Sequence, residues 1–162
     1  MKRNLAIFAL LIGAFLFFSC EKTPQNEWSR FFGYTKADVV GHYEANPNDE
    51  YYPEIPTEGV TVYRNVSIDI IDLGADQNLV RFHIVIPEVI NKIFSGVIRT
   101  TENESELAFH NGDTEDVLIT VYKNNKGQVR LEGRERRCRY DAHNELIDCT
   151  IHGFDVLKAE DR

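Results

Sequence analysis

Val60-Thr61-Val62-Tyr63-Arg64-Asn65-Val66-Ser67-Ile68-Asp69-Ile70-Ile71-Asp72, the turn Gly74-Ala75-Asp76-Gln77-Asn78 and the run Val80-Arg81-Phe82-His83-Ile84-Val85-Ile86 decide how this chain folds. Val60, Val62, Val66, Ile68 and Ile70 fall on one side of an extended first segment, and Val80, Phe82, Ile84 and Ile86 on one side of the second. Period-two alternation bounded by a Gly/Asn/Asp turn is the signature of paired strands with one face buried. Pairing Ile70 with Val80 sets Ile68 beside Phe82 and Val66 beside Ile84, so one antiparallel register satisfies both apolar faces.

The same alternation continues outward from this hairpin, giving eight expected strands. The first, at 38–44, is followed by a long Asn/Pro/Tyr/Glu loop at 46–58 that carries Tyr51, Tyr52, Pro53 and Pro56. The second spans 60–72, the third holds Val80 to Ile86, and the fourth lies at 93–101. Leu107 and Phe109 mark a fifth, and Val117, Ile119 and Val121 a sixth after the turn Asn111-Gly112-Asp113. Lys123-Asn124-Asn125-Lys126-Gly127 turns the chain so that Val121 faces Val129 and Ile119 faces Leu131. The seventh strand runs through Tyr140, and the last ends near Leu157. Short connections between successive strands make an antiparallel meander, and closing it into a barrel is one way to remove its edges. The expected fold is all-β, an eight-stranded up-and-down barrel, with a β-sandwich as the alternative. Before it, Trp28, Phe31, Phe32 and Tyr34 recur at helical spacing and predict a short helical segment within 25–36.

The chain has 162 residues, 43% hydrophobic and 27% charged, which suits one globular unit and excludes wholesale disorder. Its formal charge of −8 argues against nucleic acid as a partner, because a backbone-tracking protein needs a basic footprint. Met1-Lys2-Arg3-Asn4 followed by a 14-residue uncharged run, Leu5 to Phe18, has signal-peptide anatomy and is too short for a comfortable membrane span. Ser19-Cys20 resembles the lipobox of bacterial lipoproteins, in the relaxed form that looks like lipoproteins of the Bacteroidetes. The resemblance implies a leader at 1–19 and acylation of Cys20. Together with the aromatic spacing and the strand alternation, this divides the chain into a lipidated Cys20 with tether and helical segment at 20–36, a barrel at 37–157 and a polar tail at 158–162. The alternative is an ordinary cleaved secretion signal.

Asp38-Val39-Val40-Gly41-His42-Tyr43 resembles the first strand of lipocalins and their calycin relatives, where a Gly-x-Trp aromatic plugs the closed end; Tyr43 stands in the Trp position here. The resemblance implies an eight-stranded barrel holding a small apolar ligand or a buried core, and it carries over no ligand residues of the family. Tyr43 and Phe82 are named separately as candidate ligand contacts.

Motifs for chemistry are few. Gly-x-Ser-x-Gly is absent, the five histidines show no His-x-x-x-His spacing, and Asn111, Asp113 and Glu115 do not fit an EF-hand, so no catalytic residue, metal ligand or cofactor site is nominated. Arg130, Arg134, Arg136, Arg137 and Arg139 crowd one stretch, and Arg134, Arg136, Arg137 and Arg139 are the candidate contacts for an anion or acidic amphiphile. The competing reading, which we favour, pairs these arginines with Glu132, Glu135, Asp141 and Asp148 across strands. A four-residue loop 142–145 closed by Asp141 and Leu146 sets Cys138 opposite Cys149 at a non-hydrogen-bonded site, close enough to bridge. That register puts Tyr140 beside Ile147, Arg136 beside Ile151, Arg139 beside Asp148 and Glu135 beside His152. Two buried free thiols are the alternative.

The resulting expectation is a lipid-anchored envelope protein at the outer membrane, on its periplasmic face, that binds rather than converts. Its barrel holds a small apolar or amphipathic ligand, or it is an accessory module with a packed interior. No cofactor is expected, and the sequence leaves the oligomeric state open.

Overall fold

The structure, a computed structural model, describes residues 28–45, 59–74, 78–99 and 103–159. The leader, Cys20, the Tyr51-Tyr52-Pro53 loop and the end of the polar tail lie outside the described residues. Within them run β1 (Trp28–Arg30), α1 (Lys36–Val39), β2 (Gly41–Ala45), β3 (Val60–Tyr63), β4 (Ser67–Asp72), β5 (Leu79–Ile86), β6 (Ile90–Val97), β7 (Glu106–Asn111), β8 (Glu115–Asn124), β9 (Val129–Tyr140) and β10 (Leu146–Lys158). The fold is all-β. Its strands form one sheet in the order β1-β8-β9-β10-β2-β4-β5-β6, with β7 also on β8 and β3 also on β10.

Every pairing is antiparallel except β3 on β10, where Val60 sits opposite Ile151 and Tyr63 opposite Phe154. The expected second strand is therefore two. The chain bends at Arg64-Asn65, and Val62, placed on the core face by the alternation, is 46% exposed. The expected full closure is not found either: among the described residues no backbone ladder joins β6 to β7. Side chains meet across that seam instead. A Cβ on Gly96 of β6 would lie 2.8 Å from the Phe109 ring of β7, and Phe109 stacks on Phe82 of β5 with ring centroids 4.9 Å apart.

Two hairpin registers differ from expectation by two residues. Ile70 faces Phe82 and Ile68 faces Ile84, because Leu73 N–H donates to Leu79 O and closes the turn one pair further out. Val121 faces Leu131 because Asn124 and Gln128 close the next turn, where Asn124 Oδ1 accepts the N–H groups of Lys126 and Gln128. A two-residue slip returns every side chain to its own face, so the apolar pattern cannot detect it. The β9–β10 register is as expected from Arg139–Asp148 inward. At the tip Tyr140 pairs with Leu146 across a bulge, replacing the Asp141–Leu146 and Tyr140–Ile147 pairs. The cause is a three-residue turn with Asn144 at φ 63°, tied by Asp141 Oδ1 accepting from His143 N–H and Glu145 N–H.

The helical segment also lies elsewhere than expected. Trp28–Arg30 is a strand laddered to β8, and the helix is the single turn α1. Asp38 closes that turn by accepting the Thr35 N–H and hydroxyl. Val39 of α1 is buried together with Tyr34 and Tyr43, and both tyrosine hydroxyls are satisfied: Tyr34 donates to Glu106 O and Tyr43 to Val39 O. α1 thus caps one end of the sheet. β6 begins at Ile90 rather than 93, with Ile90, Phe94 and Ile98 inside while Ile93 faces out. Lys92 and Gly96 take the inner positions between them and break the alternation that would have revealed this.

Candidate functional site

The end opposite α1 gathers the charged groups of the interior. Following the inner side of β8 and β9 away from the helix, apolar Val121, Ile119, Val117 and Leu131 give way to Glu115, Glu135 and Arg137. Glu135 is fully buried and its Oε2 lies 2.8 Å from His152 Nδ1 of β10. Its Oε1 takes no hydrogen bond and faces Arg137 Nη2 at 3.6 Å. Arg137 Nε reaches Glu115 Oε1 at 3.2 Å, and Lys92 Nζ donates to the same oxygen at 2.5 Å from across the seam. The Lys92 hydrogen bond, helped by Asn111, holds the Glu115 carboxyl below its ordinary value. The Tyr63 ring packs against His152 with centroids 5.5 Å apart. Chemically this is a carboxylate–imidazole pair inside an ion network. Its ion pairs tie β6, β8, β9 and β10 together at an end with no helix among the described residues.

A second buried group lies on the other side of β9. Arg130 has 0% side-chain exposure, donates to Glu132 at 2.7 Å and meets Asp155 at 2.9 Å. Its guanidinium is sandwiched between Tyr122 (4.4 Å to the ring centroid) and Trp28 (5.5 Å). Burial pushes the Asp155 carboxyl up to about 6, with the Glu132 charge adding to the rise and Arg130 opposing it. This clasp holds β1 against the sheet. Sequence reasoning missed it because nothing in a single strand's pattern marks an arginine as buried on the outer face.

The nominated residues do not converge. Arg139 pairs across strands with Asp148, as the competing reading has it, while Arg136 pairs with Asp116, an acid that reading did not name. Arg137 belongs to the inner network, whereas Arg134 lies between Leu118 and Gly153 with a buried Nε that takes no hydrogen bond. Tyr43 and Phe82 are core residues, fully buried. Cys138 and Cys149 are joined as a disulfide with Cα atoms 4.1 Å apart. Two of the histidines that look scattered in the sequence bracket one carboxylate: His42 Nδ1 lies 2.6 Å from Asp69, and His83 Nδ1 lies 3.9 Å from it. The Asp69 hydrogen bond raises the His42 pKa. Among the described residues no group of three or more His, Cys, Asp or Glu is placed to hold a metal ion, and no helix is long and apolar enough to cross a membrane.

Between β6 and β7 the seam opens as a groove of about 550 Å³, with Ser95, Arg99, Glu106 and His110 along it and Phe109 and Leu118 at its base. Comparison of the chain with protein-family models, curated proteins and solved structures returns no match.

Proposed function

We propose that the chain is an envelope lipoprotein, acylated at Cys20 and held on the periplasmic face of the outer membrane, whose lipocalin-like barrel is a packed scaffold for surface interactions. The carrying observation is the filled interior: Phe82, Phe94, Phe109 and Phe154 meet the Ile and Val side chains of every long strand, all essentially shielded from solvent. An eight-stranded barrel is only just wide enough for its own side chains. The barrel reading draws support from the strand sequence β7-β8-β9-β10-β2-β4-β5-β6, which runs in ring order, and from Phe109 over Gly96 and Lys92 to Glu115, which bridge the remaining gap. In this reading the protein binds partners and converts nothing.

Native mass spectrometry of protein purified from its own host tests both halves. The expected species is the mature chain with acyl mass on Cys20 and no bound small molecule. A stoichiometric co-purifying amphiphile would overturn the packed-scaffold reading. One observation favours a second reading, a small amphipathic ligand: the seam groove has a volume within the range of ligand sites and mixes polar with apolar walls. Such a ligand would bind outside the core and be lost from an Ala108→Trp variant.

A further inference from the structure

We propose that the α1-capped end lies against a phospholipid bilayer, with its aromatic and basic rim at the headgroups of anionic lipid, and that the disulfide-stapled β9–β10 hairpin points away. The proposal rests on the acylation of Cys20. The chain joins the sheet at Trp28, whose ladder partner Asn124 is the last residue of β8, so it arrives at the capped end. From Cys20 to Trp28 is eight residue steps, which span at most about 28 Å even when fully extended. An acyl anchor on Cys20 therefore keeps this end within about 28 Å of the membrane surface.

The rim at that point has the composition a headgroup layer favours. Trp28, Phe31 and Phe32 follow one another within β1 and the turn after it, and Phe32 is 50% exposed. Lys123 Nζ sits 4.3 Å over the Phe31 ring. Arg30 and Lys126 are exposed, and neither has an ion pair among the described residues. These cations gather in a chain of net charge −8. Among the described carboxylates at this end, Asp38 lies 3.8 Å from Lys123 and Asp72 2.7 Å from Lys36, while Glu104 and Glu106 bound the patch on the β7 side. The far end is different. β9 carries the chain about 40 Å along its length, to a hairpin tip where Tyr140, Leu146 and Ile147 are exposed beyond Cys138–Cys149. With the capped end at the headgroups and β9 along the membrane normal, that tip stands clear of the bilayer.

Trp28 is the only tryptophan, so its emission reports the contact directly. The full acylated protein, purified from its host, is reconstituted into phosphatidylglycerol/phosphatidylcholine vesicles whose acyl chains are brominated near the carbonyl end. We expect Trp28 emission to fall about twofold relative to unbrominated vesicles, as for an aromatic at the interface. The loss should be smaller in an Arg30→Glu, Lys126→Glu variant. In a Trp28→Phe, Ile147→Trp variant the tip reporter should keep its full emission. Unquenched Trp28, or a quenched tip reporter, on protein whose Cys20 carries acyl mass overturns this orientation alone. An unmodified Cys20 overturns the anchor and the orientation together.

Discussion

Replacing Asp155 with Asn removes one of two carboxylates that share a single buried guanidinium, and its effect on stability follows from the geometry around Arg130. Asp155 lies 2.9 Å from Arg130 Nε, while Glu132 holds Nη2 at 2.7 Å, so the arginine keeps a counterion in the variant. Burial and the Glu132 charge raise the Asp155 carboxyl from 3.8 to about 6. At about 1.4 kcal/mol per pKa unit, its ionisation in the folded protein opposes folding by about 2 to 3 kcal/mol. Between pH 3.8 and about 6 the folded chain binds more protons at this site than the unfolded one, so this contribution favours the folded state at low pH and is lost as pH rises through 6. Urea unfolding of wild type and Asp155→Asn from pH 4.5 to 7.5 isolates the term, since His42 and the other titrating groups cancel in the difference. The variant should gain on wild type as pH rises, reaching about 2 kcal/mol at pH 7. Parallel curves, or a variant weaker than wild type at pH 7, would refute the reading of Asp155 as the surplus acid of the clasp.

Other perturbations follow the same reasoning. Gly133→Ala puts a Cβ 2.5 Å from the Leu118 carbonyl oxygen and 2.8 Å from the Phe154 ring; a loss of about 1 to 3 kcal/mol in urea titration is expected, and an unchanged midpoint counts against the packing described. Reducing Cys138–Cys149 opens a loop whose ends are 11 residues apart; the stability loss should be about 2.5 kcal/mol or less, because the hairpin forms in part without it. Lys92→Met removes the main cause of the lowered Glu115 pKa, whose stabilisation exists above the ordinary carboxylate range and fades as pH falls. The variant's acid-unfolding limb should be shallower than wild type, as read by circular dichroism from pH 5 to 2. Arg136→Ser with Arg139→Ser breaks two exposed pairs and should leave vesicle binding unchanged at physiological salt, where such pairs are weak.

What the sequence made legible was facing. Val66, Ile68, Ile70, Val80, Phe82, Ile84, Ile86, Leu107, Phe109, Val117, Ile119 and Val121 were assignable to the core from alternation alone and are buried, whereas Val60 and Val62, assigned in the same way, are not, because the chain bends after β3. Register was less legible, because faces repeat every two residues and only the closing pair of a turn distinguishes one slip from the next. The β9–β10 hairpin escaped this ambiguity over most of its length, since two cysteines and two opposite-charge pairs constrain the same alignment. Long-range partners were not legible at all. That β3 would turn parallel to β10, or that β1 would be laddered to β8, depends on contacts some ninety residues apart.

The arginine run shows why a charge cluster in a strand differs from one in a helix. Successive side chains on a strand point to opposite faces, so five guanidiniums in ten residues never share one surface. Arg130, Arg134 and Arg136 go to one side of β9, and Arg137 and Arg139 to the other. Each side then meets whatever the neighbouring strands supply: Asp155 from β10 and Asp116 from β8 on the first, Glu115 from β8 and Asp148 from β10 on the second. At Arg136, Arg137 and Arg139 an anion would have to displace those carboxylates, and at Arg130 it would also have to enter a site lined by Trp28 and Tyr122. Four of the five guanidiniums are thus paired with carboxylates, and their main structural product is the clasp that holds β1. In the proposed lipid-anchored form, force on the tether would reach the sheet through that same strand, which a buried ion cluster fastens as well as a three-residue ladder.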